Sequence, residues 1–216
     1  MTWVLKNMKS SPLASFHYKA LGNENAPKTI FLLHGTGGTE NDLFHFVEPF
    51  EKSHTLVGLL GNVRESGMAR FFKRSADGIL DQESIKLESQ KFADFILAFT
   101  KAHNQRPEDI TYIGYSNGAN MILATMFYFP ELVKKAVLWH PMLPFVPKED
   151  LDLSAQKVLL SWSALDPIIK SSESLKIIEI LKKHRANLST IETDSGHAID
   201  RAEVLAMHEF ISEDSI

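Results

Sequence analysis

The chain has 216 residues, of which 44% are apolar and 23% charged, with no cysteine and a formal net charge of −4 at pH 7. This is the composition of an ordinary globular protein, read as one domain over residues 1–216. It excludes disulfides, a cysteine-ligated zinc site and a thiol nucleophile, and it gives no electrostatic reason to expect nucleic acid or membrane insertion.

The opening stretch "MTWVLKNMKSSPLASFHYKA" has no apolar core of signal-peptide length, and no uncharged apolar run is long enough to span a bilayer, so a cytoplasmic location is expected. Within it, "SFHYKA" (15–20) alternates apolar and polar residues, as an antiparallel edge strand would. Short apolar runs then alternate with longer helical patterns. "TIFLLH" (29–34) and "TLVGLL" (55–60) read as strands, and "ESIKLESQKFADFILAFTKAHN" (83–104) as a helix with Ile85, Phe92, Phe95, Ile96 and Phe99 on one face. The strand "ITYIGY" (110–115) precedes a uniformly apolar helix, "NGANMILATMFYFP" (117–130). "KAVLWH" (135–140), "KVLLSW" (157–162) and "STIET" (189–193) are further strands. "SSESLKIIEILKKHR" (171–185) and "DRAEVLAMHEFIS" (200–212) are amphipathic helices, with Ser171 or Ser172 and Asp200 as expected N-caps. The alternation predicts an α/β domain with a mainly parallel sheet and helices on both faces. No insertion is long enough for a large cap domain.

Ligands of an open parallel sheet bind outside the carboxyl ends of its strands. Gly114-Tyr115-Ser116-Asn117-Gly118 is a G-x-S-x-G pattern at such an end, in the strand–turn–helix context that projects a nucleophilic hydroxyl. The alternative is a helix N-cap serine between turn glycines. A serine nucleophile needs a histidine to take its proton and a carboxylate to orient that histidine, in the chain order Ser, acid, His. Asp166 in "SALDPI" and His197 in "TDSGHAID" follow the last two strands and satisfy order and position together. Asp194 and Asp200 compete for the acid role, but they share His197's own stretch of chain.

His34 precedes Ser116, so it reads as a loop anchor rather than the base, whereas His140 either lines the site or packs beneath it. The other histidines read as solvated surface. Oxyanion donors are expected from the main-chain N–H of Asn117 and from the Gly35-Thr36-Gly37-Gly38 loop. "GTGGTE" lacks the third glycine of a dinucleotide loop, so phosphate binding is not expected. Met68, Phe71 and Phe72, with Met142, Leu143, Phe145 and Trp162, are either the apolar wall of a fairly open pocket or ordinary core.

Along most of its length the chain resembles the α/β-hydrolase superfamily, and within it the phospholipase/carboxylesterase family that includes acyl-protein thioesterases. The resemblance rests on "LLHGTGGTENDL", "GNVRESGMARFF", "GYSNGAN", "HPMLP", "LDP" and "SGHAI". It is most similar to a bacterial carboxylesterase-like branch, some of whose members are associated with hydroquinone resistance, and departs from it in carrying Leu59-Leu60 where that branch has Pro-Arg. The resemblance implies a serine hydrolase without cofactor or metal. It implies Ser116, Asp166 and His197 as triad and the N–H groups of Thr36 and Asn117 as oxyanion hole. The expected reaction is cleavage of small or medium carboxylic esters through an acyl-enzyme. Thioester hydrolysis and a non-catalytic binder on the same fold are the alternatives. The expected partner is a small-molecule ester or thioester; a homodimer is compatible with the sequence but not derivable from it.

Overall fold

The computed structural model describes residues 12–76 and 78–213. Its centre is a seven-stranded sheet in the order β1-β3-β2-β8-β9-β10-β11. The strands are β1 (His17–Gly22), β2 (Lys28–Leu33), β3 (His54–Leu60), β8 (Ile110–Tyr115), β9 (Lys135–Trp139), β10 (Lys157–Ser163) and β11 (Asn187–Thr193). All neighbours pair in parallel except β1, which lies antiparallel on β3 at the edge. That edge strand starts two residues later than "SFHYKA" suggests, because Pro12–Ser15 forms a 3-10 turn closed by the Ser15 hydroxyl on the Pro12 carbonyl. Between β3 and β8 stand two short hairpins, β4 (Val63–Glu65) with β5 (Met68–Arg70) and β6 (Arg74–Ala76) with β7 (Ile79–Leu80).

The inner parallel strands are apolar on both faces because both are covered, whereas β11, at the sheet edge, is largely polar and exposed. In β2, Phe31 and Leu33 point into one core and Ile30 and Leu32 into the other, the two-residue period of a strand. The first core is closed by α2 (Gln82–His103), α3 (Asn117–Tyr128) and α4 (Ser171–Lys183). Phe31, Phe92, Phe95, Phe99 and Tyr112 interlock there at ring separations of 4.9–6.3 Å. The second core is closed by the short helix α1 (Phe44–Val47) and by α5 (Arg201–Ser212), through Val47, Met207, Phe210 and Ile211.

Asp200 caps α5 as expected. Its carboxylate accepts the Glu203 N–H while the Glu203 carboxylate accepts the Asp200 N–H, the two halves of a capping box. The cap of α4 differs from expectation: Ser171 is already helical and Lys170 occupies the N-cap without any side-chain bond. No helix among the described residues is long and apolar enough to cross a membrane.

Candidate active site

Ser116 ends β8 and begins α3 with φ 50° and ψ −111°, a conformation that L-residues rarely adopt. Its N–H donates to the Trp139 carbonyl of β9 (2.8 Å), which pins the turn to the neighbouring strand. The flanking glycine is dictated by packing: a Cβ on Gly118 would stand 2.1 Å from the Leu33 carbonyl oxygen. The Ser116 side chain caps nothing on α3. The N-cap alternative is therefore set aside, and the hydroxyl is left for another partner.

That partner is His197, from the loop between β11 and α5. His197 Nε2 lies 3.0 Å from Ser116 Oγ, and His197 Nδ1 lies 2.7 Å from Asp166 Oδ2. The other Asp166 oxygen accepts the N–H groups of Ile168 (2.8 Å) and Ile169 (2.9 Å), so the loop after β10 holds its own carboxylate. Burial by itself pushes the Asp166 pKa up, but the His197 bond and the two main-chain donors outweigh it and hold the carboxyl below its usual range. Asp194 is exposed and Asp200 is committed to its cap, so neither meets the imidazole.

Behind this line lies a layer that sequence reading did not assign. Tyr115 donates its phenol to the His197 carbonyl (2.7 Å) and fixes the histidine loop. His140 is fully buried with φ 50°, so it packs beneath the site rather than lining it. Its Nδ1 is 3.5 Å from Asp166 Oδ2 and its Nε2 3.0 Å from Glu203 Oε1, neither aligned as a good hydrogen bond. Glu203 also accepts the Ser161 hydroxyl. The D-x-x-E spacing of Asp200 and Glu203 was a legible capping signal; the inward reach of Glu203 was not. Asp166, His140 and His197 are also the one group of described residues whose side-chain atoms gather as metal ligands could. Asp166 accepts from Ile168, Ile169 and His197 while His197 Nε2 faces Ser116 Oγ, so this group is engaged in the hydrogen-bonded line and no metal site is assigned.

The loop from His34 to Gly38 abuts the end of β8: a Cβ on Gly35 would stand 2.7 Å from the Tyr115 ring. His34 anchors this loop. Its Nε2 accepts the Gly61 N–H (3.0 Å), so the proton is assigned to Nδ1, which donates to the Gly35 carbonyl (2.5 Å). Burial pushes its pKa down, in keeping with a neutral anchor. Among the described residues, neither the Thr36 N–H nor the Asn117 N–H meets an intramolecular acceptor.

The expected pocket wall is corrected in part. Phe71 and Phe72 are fully buried in the α2/α3 core, Phe71 against the His34 ring at 4.9 Å, so neither faces a substrate. The Phe71 N–H donates to Asn117 Oδ1 (2.7 Å), which ties this segment to the start of α3. Met142, Leu143, Phe145 and Trp162 are partly buried against the same core, with Met142 N–H bound to Asn120 Oδ1. Met68 is 40% exposed and stands beside Gly37. Leu165 and Ile168, which flank Asp166, are exposed apolar residues that sequence reading passed over. His54 and His184, expected at the surface, are buried.

The family model for phospholipases/carboxylesterases matches residues 20–215. The chain belongs to this family. This carboxylesterase-family hydrolase is 32% identical to the putative hydrolase MhqD of Bacillus subtilis strain 168 over 184 residues, 85% of this chain and 92% of that one. The Bacillus cereus carboxylesterase superposes on it with a TM-score of 0.85 at 32% identity, over 92% of this chain and 94% of the other. A carboxylesterase from Mesorhizobium loti reaches 0.83 at 26% identity, covering 98% of each chain. The family resemblance read from the sequence and the α/β-hydrolase fold it implies both hold.

Proposed function

We propose that this hydrolase cleaves carboxylic esters of small or medium size through an acyl-enzyme on Ser116. One observation carries the proposal: Ser116 Oγ, His197 and Asp166 stand in a hydrogen-bonded line at 3.0 and 2.7 Å, at the carboxyl ends of β8, β10 and β11. His197 Nε2 removes the hydroxyl proton as Oγ attacks the ester carbonyl. The tetrahedral intermediate's oxyanion is held by the Thr36 and Asn117 N–H groups. His197 then protonates the departing alcohol, and in a second round it activates the water that releases the acid. Asp166 holds the imidazole with its proton on Nδ1, facing away from serine.

The site needs no cofactor for this chemistry. Exposed Met68, next to Gly37 of the proposed oxyanion loop, and exposed Leu165 and Ile168, on the loop that carries Asp166, favour an apolar acyl or alcohol portion. The test is reaction of purified protein with a fluorophosphonate probe, followed by turnover of acyl esters and thioesters of increasing chain length. Ser116→Ala should lose both labelling and turnover, since triad removal costs about 10⁴-fold or more in kcat. Labelling elsewhere, or retention of more than about a hundredth of the activity, would overturn the proposal.

A further inference from the structure

Three consecutive residues at the end of the β4–β5 hairpin make three different ties to the proposed oxyanion donors. The Ala69 carbonyl accepts the Gly37 N–H (2.9 Å). Arg70 Nη1 donates to the Thr36 hydroxyl (2.6 Å). The Phe71 N–H donates to Asn117 Oδ1 (2.7 Å). The first two reach the loop that presents one donor, and the third reaches the side chain of the residue that presents the other.

Arg70 is the unusual member. It is a buried cation, and burial pushes its pKa down. A guanidinium is retained in such a place only when its donors are engaged. Arg70 Nε donates to the Phe72 carbonyl (3.2 Å) and lies 3.4 Å from Glu65, which Arg74 also holds at 2.6 Å. Of its two terminal nitrogens, Nη1 goes to Thr36. In Gly35-Thr36-Gly37-Gly38, Thr36 is the one residue with a side chain that can be gripped, and Gly37 has φ 81°. A loop so rich in glycine gains its rigidity from what holds it.

We infer that Arg70 is a positioning residue that sets the Thr36 N–H toward the oxyanion by holding the Thr36 hydroxyl. This rests on the catalytic reading above. Oxyanion donors act only when placed within a few tenths of an ångström of their working distance, and a charge-assisted bond to a side-chain oxygen supplies that placement without touching the substrate. Arg70 makes no step of the reaction itself.

The experiment is a double-mutant cycle of Arg70→Met and Thr36→Val, with Thr36→Ser as the rescue, measuring kcat and KM on a p-nitrophenyl ester and the rate of phosphonylation of Ser116. Each single variant should lower kcat about 10- to 100-fold with KM changed less than about threefold. The double variant should be no slower than the worse single, because both remove the same contact. Thr36→Ser keeps the hydroxyl and should retain most of the wild-type kcat. Should Arg70→Met fail to fold, Thr36→Val against Thr36→Ser decides alone. A wild type that labels at Ser116 and turns over ester, while the two losses multiply or Thr36→Ser is as slow as Thr36→Val, overturns this inference and leaves the catalytic reading standing. A wild type that neither labels nor turns over ester overturns the catalytic reading, and this inference with it.

Discussion

At the scale of single residues, the site consists of groups whose alternatives have been used up by neighbours. Asp166 has one oxygen tied to its own loop and the other to His197, while Asp194 is exposed. Asp166→Asn keeps the shape but favours the wrong imidazole tautomer, so kcat should fall by up to about 10⁴-fold, whereas Asp194→Asn should cost less than about threefold. Steady-state kinetics on both variants checks the assignment, and the reverse order of losses would shift the acid role to Asp194. Asn117 presents a different case. Its main-chain N–H survives substitution, but its side chain is buried and accepts the Phe71 N–H. Asn117→Ala leaves that donor without a partner and should destabilise the fold by about 1–3 kcal/mol in urea titration. Activity measured well below the unfolding midpoint should fall far less than in Ser116→Ala. Neither role of the Asn117 side chain nor that of Arg70 was visible in sequence, because each depends on a partner brought close only by the hairpin.

At the scale of elements, the decisive contact is the approach of α3 to β2 beneath the nucleophile. Gly118 admits it, with its would-be Cβ 2.1 Å from the Leu33 oxygen and 2.5 Å from the Leu33 carbonyl carbon. Backbone cannot move aside as a side-chain tip can, so Gly118→Ala should cost at least about 1–3 kcal/mol and displace Ser116 together with the helix. A melting temperature equal to wild type would show that α3 has room the packing denies it. The elements themselves were largely legible. β8 spans residues 110–115 as read, and the four long helices agree to within two residues at each end, because buried faces repeat with periods that a sequence displays. The two hairpins between residues 63 and 80 have no counterpart among the strands read from the sequence. Their strands are two or three residues long, too short for a two-residue period to declare itself, and only pairing defines them.

At the scale of the whole molecule, stability joins the two cores across one sheet, and one buried imidazole makes that stability sensitive to acid. His54 begins β3, and burial, reinforced by the Lys28 and Lys135 charges, lowers its pKa from 6.5 to about 4. The unfolded chain takes up a proton near pH 6.5 that the folded chain refuses until about pH 4. The contribution of the neutral ring is therefore complete above pH 6.5, declines as the pH falls, and is lost once pH passes below about 4. His54→Gln removes this titration, so its loss of Tm between about pH 7 and about pH 4.5 should be smaller than that of wild type in a thermal-shift series. Equal losses would assign the acid sensitivity to other groups, such as carboxylates or His34, whose pKa burial also lowers. The sequence by itself determined the alternation of strand and helix, the parallel sheet with one reversed edge, and a serine, an aspartate and a histidine in hydrolase order at strand ends, because these follow from local periodicity and turn chemistry. Tertiary structure alone decided that His197 meets Asp166, 31 residues away, that Phe71 and Phe72 are core, that His140 lies beneath the site, and that Arg70 grips Thr36 across 34 residues. Those outcomes are set by which loops the strand order brings side by side, and the spacing of residues along a chain carries no record of that distance.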